Sequence, residues 1–287
     1  MSLSIRVAAI AAACMSSGAM AAVVTIPDSQ LVPSTTLYTN VFGTQMVTTG
    51  GGNAANVGDP SGRNDDGFRG PINFGYTLSN FFGQNYTSFF LNNNGNITFG
   101  AGLSAFTPEG PQGATQPVIA PFFADVDTRG ANSGLVYYNT SIPNETILTW
   151  DHVGYYNSHD DKLDTFQLVV RGDSFSIPSG EGQIGFFWTS MNWETGDASG
   201  GSNGFGGTPA AVGFGDGQSN GFILQGSTTN GISGIVNNHH IWFNLNSEGT
   251  PVPVPPPVDA IPEPETYALM LGGLAFLGAW TRRRKLR

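Results

Sequence analysis

Cysteine is nearly absent: the single Cys14 lies close to the N-terminus, so nothing beyond it can form an intrachain disulfide. Charge is scarce as well, at 11% of the 287 residues, and positive charge scarcest of all. Of eleven basic residues, Arg6, Arg282, Arg283, Arg284, Lys285 and Arg287 sit in the two ends. Between them Arg63, Arg69, Arg129, Lys162 and Arg171 face 19 acids once Glu263 and Glu265 are set aside, a net of −14. Such a surface repels polyanions, which excludes nucleic acid as a partner, and it attracts cations. No internal repeat of fixed period occurs, and no stretch outside the ends sustains a 3.6-residue apolar period. The histidines His152, His159, His239 and His240 show no zinc spacing, and no G-x-S-x-G elbow is present.

What is abundant is glycine, 40 residues of it, and phenylalanine, which at 20 outnumbers Tyr and Trp together. Short runs of Val, Ile, Phe, Tyr, Trp and Thr, punctuated by Gly, Asn, Asp and Pro, read as strands joined by tight turns. They predict strands over 88–92, 96–100, 117–124, 134–139, 146–153, 165–171, 183–189, 209–214, 221–225 and 240–245. Asn94-Gly95 supplies the positive φ angles of a hairpin between the first two. The expected fold is all-β, a single antiparallel β-sandwich-like domain; periodicity does not choose between a sandwich and a related all-β form.

Both ends read as addresses. Arg6, the apolar run 7–14 and the small residues 16–22 form a secretory signal peptide over 1–22, with signal peptidase expected to cut after Ala21 or Ala22. At the other end, 247–260 is a Pro-rich linker, extended and semi-rigid. It leads to Pro262-Glu263-Pro264, the apolar stretch 267–280 and the basic cluster Arg282-Arg283-Arg284-Lys285. Fourteen residues make a helix of about 21 Å, a short transmembrane helix that needs snorkelling flanks. The basic cluster stays cytoplasmic, so the domain is tethered outside. This tripartite segment, 261–287, resembles the PEP-CTERM sorting signal of Gram-negative bacteria. The resemblance implies a temporary anchor cut near Pro262-Glu263-Pro264 by the transpeptidase-like enzyme exosortase, with final residence at the cell surface or in the medium.

The middle carries a second resemblance. Phe81-Phe82-Gly83, the run Leu91-Asn92-Asn93-Asn94-Gly95-Asn96-Ile97-Thr98-Phe99 and the run Ile119-Ala120-Pro121-Phe122-Phe123-Ala124-Asp125-Val126-Asp127-Thr128-Arg129 are similar to the nidogen-like (NIDO) domain. So are Leu148-Thr149-Trp150-Asp151-His152-Val153-Gly154-Tyr155-Tyr156, Trp193-Glu194-Thr195-Gly196-Asp197 and Ile241-Trp242-Phe243. The likeness covers about 59–246 and leaves 23–58 as an N-terminal extension packing on the domain. It implies an extracellular module of matrix and adhesion proteins without enzymatic activity. Exopolysaccharide or other surface proteins are then the expected partners, in an adhesive or biofilm role. No cysteine-rich modules follow the domain, so the animal partners do not transfer.

The sharpest polar constellation is Asp125-Val126-Asp127. In a strand, residues two apart face one side, so both carboxylates and Arg129 share a face. Two readings follow: a calcium site built on Asp125 and Asp127, or a structural Asp–Arg pair at a strand end. No other cofactor is expected. Asp160, Asp161 and Asp164 read as a second, solvated acidic loop, without EF-hand spacing. Asp197 and Asp216 read as turn residues. Most of Trp150, Trp188, Trp193 and Trp242 are expected in the core, with Tyr155-Tyr156 the best exposed aromatics for stacking on a sugar. A carboxylate pair such as Asp125 with Glu194 is what glycan hydrolysis would use, but nothing in the sequence places the two together.

Overall fold

The computed structural model describes residues 23–110, 114–218 and 220–256. Along them run β1 (Val23–Ile26), β2 (Val32–Pro33), β3 (Thr44–Gln45), β4 (Gly50–Gly51), β5 (Gly67–Phe81) and β6 (Gln84–Asn92). Next come β7 (Asn96–Thr98), β8 (Pro117–Phe123), β9 (Val126–Asp127), β10 (Leu135–Ile142), β11 (Glu145–Tyr155) and β12 (His159–Arg171). The series ends with β13 (Ile184–Ser190), β14 (Ala211–Asp216), β15 (Gly221–Leu224), a short helix α1 (Ile232–Val236), β16 (His239–Leu245) and β17 (Pro251–Pro253).

The strands form two sheets, in the orders β1-β15-β14-β8-β7-β6-β5-β4 and β17-β16-β13-β12-β11-β10-β3. Strand β2 also pairs with β16, and β9 with β11. Every pairing is antiparallel except β1 with β15. The expected all-β class is what forms.

Alternation along the strands builds the core. Phe166, Leu168 and Val170 of β12 point inward, as do Phe186 and Trp188 of β13 and Phe89 and Leu91 of β6, all essentially without solvent exposure. Rings meet there at close range: Trp150 stacks on Phe166 with centroids 5.0 Å apart, and Phe186 on Phe214 at 5.1 Å. Truncating a ring so enclosed costs about 3–5 kcal/mol. The four tryptophans expected in the core are all buried.

The opposite face of the second sheet is also covered. Ile147, Val169, Phe187 and Trp242 form a separate cluster under Leu37, Tyr38 and Val254. Gln167 and Arg171 lie on that face, fully buried. Gln167 receives the Thr39 N–H at 3.1 Å and donates to Thr149 Oγ1 at 2.7 Å. Arg171 donates to Glu145 at 2.8 Å and to Glu181 at 2.5 Å, with Trp242 4.3 Å from its guanidinium carbon. A face that alternation alone assigns to solvent is therefore roofed by Leu37 and Tyr38, between β2 and β3, and by Val254 after β17.

Several strands lie outside those expected, β5 and β17 among them. The fifteen residues of β5 carry Gly70, Pro71 and Gly75 and three register shifts against β6, so no clean alternation marks them. Beyond Phe68 no strand among the described residues pairs with β5 on its other side, which is where a proline without an N–H is tolerated. The Pro-rich stretch also begins as structure: Pro251, Val252 and Pro253 pair with Leu245, Asn244 and Phe243 at a sheet edge. The apolar stretch 267–280 and the signal segment lie outside the described residues. Among those described, no helix is long and apolar enough to cross a membrane.

Candidate functional site

The asparagine-rich hairpin supplies the frame of the site. Asn92 and Asn96 pair across β6 and β7, and Gly95, at φ 74°, closes the turn. This turn is buried, because its side chains replace the hydrogen bonds that water would make. Asn92 Nδ2 donates to Asn96 Oδ1 at 2.8 Å, and Trp150 Nε1 donates to the Asn93 carbonyl at 2.9 Å. Asn93 Nδ2 donates to the Val126 carbonyl, while Asn94 Oδ1 accepts the Val126 N–H at 3.0 Å. The hairpin thus holds the chain between β8 and β9, where it leaves the first sheet for the second.

Asp125 sits in that crossing. Strand β9 has only two residues, so Asp125 lies outside it and the expected alternation with Asp127 does not apply. Asp127 accepts from Arg129 Nε at 2.9 Å, from Arg129 Nη2 at 2.6 Å and from the Ser158 N–H at 2.7 Å. Hydrogen bonding to Asp127 holds the Arg129 guanidinium well above its ordinary pKa. This is the structural Asp–Arg pair, and it occupies Asp127.

Asp125 instead meets Asp65 and Asp66, just before β5. One carboxylate oxygen from each of the three lies within 4.8 Å of one from each of the others. Asp66 has φ 59°, a left-handed turn that lets two consecutive side chains reach one point. Asp65 Oδ2 is paired with Arg129 at 2.9 Å, and Asp66 accepts from Asn94 Nδ2 at 2.7 Å. Asp125 is 1% exposed and Asp65 8%; Asp125 Oδ2 and Asp65 Oδ1 have no hydrogen-bond partner. Burial, reinforced by the neighbouring carboxylates, pushes Asp125 up to about 8 and Asp65 up to about 7, and raises Asp66 as well. Gly196 lies flat against the Asp125 side chain: a Cβ there would stand 2.5 Å from Oδ2.

The second acidic group is not a loop. Asp160, Asp161 and Asp164 belong to β12, because Asn157 and Ser158 turn the chain early and β12 pairs with β11 from His159 onward. Their partners diverge. Asp160 accepts the Asn132 N–H at 2.7 Å, Asp161 binds Lys162 at 2.6 Å and the Tyr155 hydroxyl at 2.9 Å, and Asp164 is fully buried under the Asn192 and Trp193 N–H groups. Tyr155 is likewise not an exposed platform; at 1% exposure it packs on Trp193 and His159. Asp216 accepts the Gln218 and Asn220 N–H groups, as a turn aspartate does. Asp197 pairs with His159 at 2.9 Å.

Glu194 is spent inside the fold. Its carboxylate accepts the Gly231 and Ser233 N–H groups and the Ser233 hydroxyl at 2.8–3.1 Å, and it is 1% exposed. Both Glu194 oxygens are thus engaged by the turn into α1. The residues that sequence reasoning missed are Asp65 and Asp66. Asn64-Asp65-Asp66-Gly67 looks like any polar turn before a strand, and only the pairing of Asp65 with Asp127 brings it to Asp125.

Comparison with known proteins assigns both the middle of the chain and its C-terminal segment. The family model described as NIDO related matches residues 33–242, and that of the PEP-CTERM protein-sorting motif matches 260–285. Alpha-tectorin of Mus musculus is 33% identical over 196 residues, 58% of this chain, and alpha-tectorin of Gallus gallus is 34% identical over 189 residues, 54% of this chain. Nidogen of Drosophila melanogaster is 27% identical over 203 residues, again 54% of this chain. The match spans 9%, 8% and 14% of the length of these three relatives. No solved structure matches.

Proposed function

Because the chain belongs to the NIDO-related family, we propose that it is an exported, non-enzymatic surface protein acting in adhesion or in an exopolysaccharide matrix. The observation that carries this reading is the sorting motif at 260–285 directly behind the β domain. Such a motif serves exosortase-dependent delivery to the surface of Gram-negative bacteria, through export across the inner membrane and a transient anchor. Signal peptidase would cut after Ala21 or Ala22, and exosortase near Pro262-Glu263-Pro264. Both cuts spare the domain: β1 starts at Val23, and β17 ends at Pro253.

The polar groups support a binding or structural role over catalysis. Asp127 and Glu194 are saturated by hydrogen bonds from the fold itself. Hydrolysis of a glycan needs two carboxylates free to exchange protons across an open cleft. Asp127 instead holds an ion pair with Arg129, and Glu194 holds the turn into α1.

Mass spectrometry of protein recovered from the cell surface and the medium tests the reading. The expected mature chain begins at Ala22 or Val23 and ends near Pro264. An intact 267–287 segment in that fraction would overturn exosortase sorting.

A further inference from the structure

The acidic crossing is chemically incomplete as it stands. Asp65, Asp66 and Asp125 cluster together, and the nearby Arg129 guanidinium pairs with Asp65 and Asp127. Asp125 is buried with a carboxylate oxygen that nothing donates to, and Asp65 keeps a second such oxygen. Buried polar atoms are almost always paired, and a charge out of water needs a counter-charge. Two neighbouring carboxylates of one cluster, each with a buried oxygen that has no partner, next to a third carboxylate, ask for a cation.

We propose that Asp65, Asp66 and Asp125 bind one calcium ion that pins the start of β5 to the crossing between β8 and β9. The spacing fits. Calcium takes oxygen ligands at about 2.3–2.6 Å, so two ligands on one ion stand at most roughly 5 Å apart, and the three oxygens lie within 4.8 Å. Magnesium, with ligands at about 2.0–2.1 Å and a rigid octahedron, demands a tighter cluster. Asp66 is partly exposed, so the site opens to solvent on its side and water can complete the six to eight ligands that calcium takes. The neighbours prepare the geometry: Asn94 Nδ2 fixes Asp66, Arg129 fixes Asp65, and Gly196 leaves no side chain between itself and Asp125.

The consequence is mechanical. Asp65 and Asp66 lead into the first sheet, and Asp125 leads from it into β9, which pairs with the second. An ion held by all three ties the sheets together at one end of the domain without a disulfide. The site stands on its own geometry and holds or fails independently of the surface role proposed above.

The test uses protein purified from its host's envelope or medium, processed as it occurs there. Calcium chloride is titrated by calorimetry, and melting is followed in calcium, magnesium and chelator at matched ionic strength. One calcium per chain is expected, with a melting temperature raised by on the order of 5–10 °C at a hundredfold excess over Kd. Asp66→Asn, the change least able to disturb the core, should weaken binding at least tenfold, and Asp160→Asn should leave it unchanged. Absence of binding in the wild-type protein overturns the proposal, because protons then neutralise the cluster. So does an equal rise with magnesium, which is screening, or calcium binding that survives Asp66→Asn and Asp125→Asn. If a variant fails to fold, anomalous scattering from calcium-soaked wild-type crystals decides. Density among the three carboxylates is expected, and density elsewhere refutes the site.

Discussion

Replacing Arg171 by methionine keeps much of the side chain's length and removes its charge. The native guanidinium is fully buried on the outer face of the second sheet. It donates to Glu145 Oε2 at 2.8 Å, Glu181 Oε2 at 2.5 Å, the Tyr38 hydroxyl at 2.9 Å and the Gly182 carbonyl at 3.0 Å. Glu181 is 28% exposed and can turn to water, so its loss is small. Glu145 cannot: its side chain is 3% exposed and would keep only the Tyr38 hydroxyl, at 3.1 Å. Stranding one partner of a buried pair costs about 3–5 kcal/mol. For a domain of this size that lowers the melting temperature by roughly 6–20 °C. Replacing both partners, as Arg171→Met with Glu145→Leu, should recover most of the loss, since an apolar pair of similar volume is often neutral. Urea unfolding of the two single variants and the double variant gives the coupling energy directly. A single-variant loss below about 1 kcal/mol, or losses that simply add, would refute a buried charge held by its partner.

Gly95→Ala should destabilise by more than about 3 kcal/mol, because φ is positive and the new Cβ would lie 1.7 Å from the Phe122 carbonyl oxygen; a melting scan checks it. Asp164 gives a pH dependence. Burial pushes its carboxyl well above the usual range, so its contribution is full below the unfolded pKa and declines as pH rises towards the folded one. Unfolding free energies from pH 4 to 7 should therefore show the wild type losing ground against Asp164→Asn as pH rises, and a constant difference would contradict this. Trp150→Phe removes the indole N–H that the Asn93 carbonyl accepts, and should cost about 1–3 kcal/mol with the far-UV spectrum unchanged.

Strands that alternate cleanly, such as β12 and β13, are legible because one face is apolar and the period is two. The far side of the same strands is not, since Leu37 and Tyr38 cover it from more than a hundred residues away. Strand β5 hides behind its glycines, its proline and its bulges. The acidic cluster was half legible. Asp125 stands out through Asp127 two residues on, yet β9 begins only at Val126 and Arg129 takes Asp127. Its true neighbours stand some sixty residues earlier, joined by the bridge between Asp65 and Asp127. Spacing along the chain carries no trace of such a contact. Asp160, Asp161 and Asp164 show the reverse: close in sequence, they are held by different partners, the Asn132 N–H, the Tyr155 hydroxyl and the Trp193 N–H.

The claim that this domain binds or supports a matrix without altering it is tested most directly with the producer's own exopolysaccharide. The processed protein is incubated with the purified polymer, and both retention and polymer length are measured. Protein retained on polymer of unchanged length is the expected result. Release of oligosaccharides that grows with time and with protein concentration would contradict the account and make the domain a hydrolase.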